Sequence, residues 1–266
     1  MTPIAKAFKT KTKKSLFIPY FSLGDPLYSL SSEWGEAILS GGADLLELGI
    51  PFSDPIGDGP VIQRAFTRAL MHPFSWDSIF PISSELKKNH PKVPLIYMSY
   101  FNPIYQIGTK KFLQQSSQNG VNGLILPDLP HDSEENAELF SIAKDLDMDV
   151  IHLVTPATTR KRIKEMKKVS SGFVYYVTSF GVTGERNEFP DDLKERVAMV
   201  REELGLPVCC GFGISTPEHA AFIGSFADGV IVGSAFQRII EEHAQEPALC
   251  KKKLYDYTVS MRNSCP

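Results

Sequence analysis

The chain has 266 residues, 28 Lys+Arg against 31 Asp+Glu for a net charge of −3, and 42% hydrophobic, 11% aromatic and 22% charged residues. That balance lies near the soluble globular average and excludes a disordered, collagen-like or coiled-coil chain. No apolar run approaches the roughly 18 residues of a membrane span, no leader pattern opens the chain, and a mildly acidic protein offers no broad field for nucleic acid or an anionic membrane.

The first 14 residues carry Lys6, Lys9, Lys11, Lys13 and Lys14 and no acid. They read as a basic N-terminal segment or helix, solvated and outside the main fold. Short apolar runs then recur as candidate strands at 15–22, 44–50, 94–99, 123–126, 149–153, 172–178, 207–210 and 229–232. Amphipathic stretches lie between them, among them 31–40, 109–118, 133–147, 160–168, 190–204 and 217–226. Leu139, Ile142, Ala143 and Leu146 repeat at helical spacing, and Thr216-Pro217-Glu218 supplies a hydroxyl cap, a proline for the first turn and an acid behind it.

Strand and helix alternating eight times requires parallel pairing through right-handed crossovers. Continuously apolar strands such as LFIPYF indicate a sheet covered by helices. Roughly 250 residues over eight units gives about 31 per unit, the size expected of a single (β/α)₈ barrel spanning 1–266. An open doubly wound sheet is the alternative, but neither a GxGxxG after the first strand nor a phosphate-binding P-loop is present. The four cysteines, with Cys209 and Cys210 adjacent and on opposite faces of a strand, form no CxxC pair, and the six histidines have no ligand spacing. No metal site and a reducing, cytoplasmic setting are therefore expected.

In such a barrel the chemistry belongs at the C-terminal ends of the strands. Glu47 lies inside an apolar strand on the face shared by Leu45 and Gly49. If that face turns inward, the carboxyl is buried, its pKa rises, and it becomes suited to proton transfer near neutral pH. Asp58 sits between Gly57 and Gly59 in a proline-bounded loop; Gly-Asp-Gly alone is commonly a turn, but beside Glu47 it reads as a second catalytic carboxylate. Ser53 and Asp54 read equally as turn-shaping residues. Glycine-rich turns at Gly181–Gly184, Gly211–Ser215 and Gly233-Ser234 point to a phosphate held by backbone amides, with the Ser234 hydroxyl as a further donor.

The stretch from Glu47 through Gly-Ile-Pro-Phe-Ser-Asp-Pro-Ile-Gly-Asp-Gly to Gln63 resembles the signature of the tryptophan synthase alpha subunit family. Gly24-Asp25-Pro26, Tyr100-Phe101-Asn102-Pro103, Pro127-Asp128-Leu129-Pro130 and the three glycine turns extend the likeness over essentially the whole chain. The resemblance implies a (β/α)₈ barrel that cleaves indole-3-glycerol phosphate to indole and glyceraldehyde 3-phosphate. It implies no cofactor in this chain and an αββα assembly with a beta subunit that carries pyridoxal phosphate. By the same resemblance Glu47 is the acid/base and Asp58 offsets charge at the indole nitrogen. Gly184, Gly213, Gly233 and Ser234 hold the phosphate, and Tyr20, Met98, Tyr100, Ile125, Tyr175 and Phe212 line the indole pocket. Thr183 closes over the site toward Asp58. Pro51, Asp54, Ile56, Asn102 and Pro103 form the surface for the beta partner, with exposed prolines and Ile56 as its apolar part.

Two departures stand out. The family usually has Ala where this chain has Gly57, which predicts a less fixed Asp58, and Phe180 occupies a position where the family has smaller or more polar residues. They motivate a second reading, an alpha subunit of little activity that chiefly activates its partner. Another phosphate-binding barrel, such as a sugar-phosphate isomerase or indole-glycerol-phosphate synthase, accounts for the glycine turns but not for the stretch from Glu47 to Gln63.

Overall fold

The computed structural model describes residues 1–178 and 189–266. Among the described residues nine strands pair in parallel: β1 (Leu16–Ser22), β2 (Leu46–Gly49), β3 (Leu95–Met98), β4 (Val121–Ile125), β5 (Asp149–Ile151), β6 (Leu153–Val154), β7 (Val174–Val177), β8 (Val208–Gly211) and β9 (Gly229–Val232). Their order, β5-β4-β3-β2-β1-β9-β8-β7-β6, begins and ends on two pieces of one stretch of chain, so the sheet curls into a nearly closed barrel. Seven of the eight expected strands are present as single strands. The fifth is interrupted at His152, whose carbonyl still accepts from the Tyr175 N–H of β7 at 3.1 Å. Its ring turns outward to Asn136 Oδ1 (3.0 Å) and Ser170 Oγ (3.1 Å).

Alternation along the strands separates two cores. Leu16, Ile18, Leu45, Ile96, Ile125, Ile151, Phe173, Tyr175, Cys209 and Ile231 fill the barrel. Phe17, Phe21, Leu48, Tyr97, Leu124, Tyr176 and Cys210 face outward against the helices, where Trp34 of α2 (Tyr28–Ser40) is fully buried. Adjacent Cys209 and Cys210 thus fall on opposite faces, as the pleat requires.

The helical layer is richer than one helix per strand. Between β2 and β3 stand α3 (Pro60–Ala69) and α4 (Trp76–Asn89); between β3 and β4, α5 (Phe101–Ile107) and α6 (Thr109–Gln118). α7 (Glu134–Asp145), α8 (Arg160–Met166), α9 (Leu193–Leu204) and α10 (Pro217–Gly224) follow, and after β9 come α11 (Ser234–His243) and α12 (Pro247–Ser264).

The N-terminal segment is not a solvated arm. Residues Pro3–Thr10 form α1, opened by a Thr2 cap that accepts the Ala5 N–H at 3.2 Å, with Pro3 in its first turn. Ile4 and Phe8, four residues apart on one face, are buried in the barrel floor, and Phe8 meets Phe173 at 5.7 Å between centroids. Gly123 makes the space: a Cβ there would stand 2.7 Å from Ile4 Cδ1. The lysines beyond α1 cover helix C-termini, where carbonyl groups lack partners. Lys13 donates to the carbonyls of Arg262 (2.8 Å) and Cys265 (2.9 Å) at the end of α12, and Lys14 to that of Ser225 beyond α10.

Candidate active site

At the opposite end of the barrel a cavity of about 490 Å³, counted to its open mouth, is lined by Tyr20, Glu47, Asp58, Ile62, Met98, Tyr175, Phe212, Gly213, Ile214, Ile231, Gly233 and Ser234. Tyr20 and Glu47 are register neighbours on β1 and β2. The tyrosine ring crosses the end of β2 because Gly49 has no side chain, a Cβ there falling 2.1 Å from Tyr20 Oη. Gly211 gives Tyr175 the same room on the other side, at 2.2 Å. Two tyrosines therefore stand as walls over glycine strand ends.

Glu47 points into this interior with 1% of its surface exposed, and its Oε1 has no hydrogen-bond partner among the described residues. Burial alone drives its pKa well above the ordinary carboxylate range. An orphan buried carboxyl oxygen is costly, and no hydrogen bond among the described residues compensates it. Asp58 is 4% exposed and differs in being held. The Tyr100 hydroxyl donates to Asp58 Oδ2 at 2.8 Å and accepts the Gly57 N–H at 2.9 Å, while Gln63 Nε2 donates to the Asp58 carbonyl at 2.7 Å. Burial raises the Asp58 pKa to about 6, with the Tyr100 bond opposing the rise. Beside Gly57, Asp58 is thus held on its side chain by Tyr100 and on its carbonyl by Gln63. A Cβ at position 57 would stand 3.3 Å from Tyr100 Oη, so glycine gives the bracing phenol its room.

Among the described residues the other end of the cavity has no charged side chain. After β8, Phe212 (φ +78°) and Gly213 (φ +75°) are both left-handed, and the Thr178 hydroxyl holds the turn by donating to the Gly211 and Phe212 carbonyls (3.0 and 2.6 Å). For a phenylalanine that conformation costs roughly 1–3 kcal/mol, a strain that concentrates at ligand sites. It sets the ring edge-on to Tyr175 at 5.9 Å. After β9, Gly233 caps α11 without a side-chain bond, and Gly233 and Ser234 at that helix start line the cavity. Uncapped helix-start amides beside a hydroxyl can receive an anion.

A family model described as tryptophan synthase alpha chain matches residues 6–265. The chain belongs to the tryptophan synthase alpha chain family. It is 54% identical over 264 residues to the tryptophan synthase alpha chain of Leptospira biflexa serovar Patoc, covering 99% of each chain. With that of Leptospira interrogans serovar copenhageni it shares 52%, again over 99% of each. The crystal structure of tryptophan synthase subunit alpha from Legionella pneumophila superposes with a TM-score of 0.88 at 34% identity, covering 100% of this chain and 98% of that one.

Of the residues the family resemblance singled out, Glu47, Asp58, Tyr20, Met98, Tyr175, Phe212, Gly213, Gly233 and Ser234 converge on the one cavity. Tyr100 stands behind Asp58, stacked on Phe52 at 5.2 Å. Ile125 lies fully buried in the barrel core and is not among the lining residues. Gly184 and Thr183, with Phe180, fall outside the described residues. Ile62, Ile214 and Ile231 complete the lining and were not anticipated, although Ile231 shares the inward face of β9 with Gly229 and Gly233. On the expected partner face, Asp54 and Asn102 are exposed and Ile56 is 80% exposed. Pro51, expected to be exposed, is buried, because it directly continues the apolar end of β2. Asn102 and Pro103 form the first turn of α5, where a proline costs no hydrogen bond. Among the described residues no group of three or more His, Cys, Asp or Glu side chains could hold a metal ion, and no helix is long and apolar enough to cross a membrane.

Proposed function

We propose that this chain cleaves indole-3-glycerol phosphate to indole and glyceraldehyde 3-phosphate, with Glu47 as acid/base and Asp58 as the charge that steadies the indole nitrogen. The observation that carries the reading is one aromatic-walled cavity with, among the described residues, a buried carboxyl whose Oε1 has no partner and a braced carboxylate on one side, and helix-start amides with a hydroxyl and no charged side chain on the other. Protonated Glu47 gives its proton to indole C3, and positive charge develops at the ring nitrogen, where ionised Asp58 offsets it. The resulting Glu47 carboxylate takes the proton of the glycerol hydroxyl next to the ring. The C–C bond breaks, its electron pair returns to the ring, the aldehyde forms and Glu47 is again protonated. Gly213, Gly233 and Ser234 hold the phosphate through amides and a hydroxyl. Tyr20, Met98, Tyr175 and Phe212 contact the indole.

The partner in this reading is a beta subunit in an αββα assembly in the cytoplasm, carrying the pyridoxal phosphate that this chain does not need. It would dock against Asp54, Ile56, Asn102 and Pro103, with Pro51 beneath. The lyase reading is favoured over an activator of little activity because Tyr100 fixes the carboxylate that Gly57 was expected to loosen. The test is indole release by the purified chain with and without its beta partner. Release in either case, stimulated by the partner, is expected; no release in both, with the partner's activity still stimulated, overturns it.

A further inference from the structure

The cavity's two ends are carried by two helices that start at its rim. α3 begins two residues after Asp58, and α11 begins at Ser234. Each bears on one face, four residues apart, the side chains that tie it to the other and to the end of β1. Arg68 of α3 forks onto Asp25, Nε to Oδ1 and Nη2 to Oδ2, both at 2.7 Å. Gln237 of α11 donates to the same Asp25 Oδ2, and its own Oε1 accepts the Ser22 N–H at 2.8 Å. One turn further out, Glu241 of α11 takes Arg68 Nη1 at 2.7 Å and Arg64 Nε and Nη2 at 2.8 Å each. Asp25 and Gln237 are both 0% exposed.

Stability alone is a poor reason for this arrangement. Asp25 is buried and Arg68 a quarter exposed, and such an ion pair roughly breaks even against well-packed apolar side chains, which leaves the relative placement of the elements it joins as the role to test. The three elements joined here are the ones that present Tyr20, Asp58 and Ser234 to the cavity. We propose that Asp25, Arg68, Gln237 and Glu241 are positioning residues that set the distance between the carboxylate end and the anion end of the cavity, and hence the length of substrate it accepts.

This rests on the reading that one ligand spans both ends, and the experiment separates the two ideas. Three probes are titrated calorimetrically into the full chain: inorganic phosphate, indole, and an unreactive indole bearing at C3 a saturated three-carbon chain that ends in phosphate. A two-ended ligand gains over its fragments only where the spacing matches. The variant combines Asp25→Asn with Arg68→Met, which removes both charges and so strands neither. The fragments are expected to bind within twofold of the unsubstituted chain, the two-ended probe at least tenfold more weakly, and kcat for the natural cleavage to fall as well, since misplacements near 1 Å are felt in the chemical step. If that variant does not fold, Glu241→Gln, at the outer end of the network, carries the test with an expected threefold loss confined to the two-ended probe. Retention of full affinity for the two-ended probe, or equal weakening of all three probes, overturns the proposal. An unsubstituted chain that holds the two-ended probe no better than phosphate overturns the proposed function itself, whatever the variants do, and the positioning role with it.

Discussion

The two ends of the barrel are built on opposite terms. The floor is apolar and complete: Ile4 and Phe8 of α1 seal it, and Gly123 is shaped to receive them. The mouth keeps a carboxyl buried with one oxygen unpartnered among the described residues, a second one buried and braced, and a phenylalanine in a backbone conformation that costs energy. The floor shows where folding free energy is gathered, and the mouth where part of it is given up so that groups can act on a ligand.

Substitutions at the two ends should therefore separate activity from stability. Glu47→Gln is expected to cut indole release by 10²- to 10⁴-fold. The folded-state pKa of Glu47 lies above its unfolded value, so its contribution is full below about pH 4.5 and is lost as pH rises. At pH 7.5 the same substitution should accordingly raise stability, by on the order of 1 kcal/mol in urea unfolding. A loss of stability with intact turnover would reverse the contrast. At the floor, Ile4→Ala should cost about 3 kcal/mol by the same measurement while changing kcat/KM less than twofold.

His152 sharpens the contrast from the outer face of the barrel, because it is buried like Glu47 but fully partnered. Burial lowers its pKa from 6.5 to about 4, so the unfolded chain takes up a proton that the folded chain refuses. Stability should be complete above about pH 6.5 and fall on the order of 2–3 kcal/mol as pH drops toward 4, and His152→Gln should flatten that slope. A smaller effect belongs to Tyr100→Phe. The acid limb of the kcat/KM profile, expected near pH 6 from Asp58, should move up by about half to one pH unit when one hydrogen bond of roughly 1 kcal/mol is removed. Gly57→Ala should move it less, in the same direction.

Much of this was legible in the residues. Strand and helix alternation gave the barrel, and the stretch from Glu47 to Gln63 gave both carboxylates. What escaped depends on contacts distant in sequence or on signals that composition hides. Five lysines in the first 14 residues mask Ile4 and Phe8, whose spacing marks a buried helix face. Pro81 lies inside α4 and speaks against a helix there, yet tertiary packing of Ile79, Phe80, Ile82 and Leu86 carries it through. Gly57 read as freedom because its neighbour Tyr100 lies 43 positions away. His152 in a run of strand-forming residues gave no sign that its ring would leave the ladder for Asn136 and Ser170.

Ser22 and Gln237 stand 215 residues apart in the chain. On the ribosome, β1 is among the first segments made, yet one of its edges has no strand to pair with until β9 emerges, and its terminal amide stays unclaimed until α11 does. The barrel mouth is consequently a late event of synthesis. A nascent chain halted before residue 229 carries an open apolar edge of the kind that chaperones shield, and the seam between first and last units is where misassembly should begin.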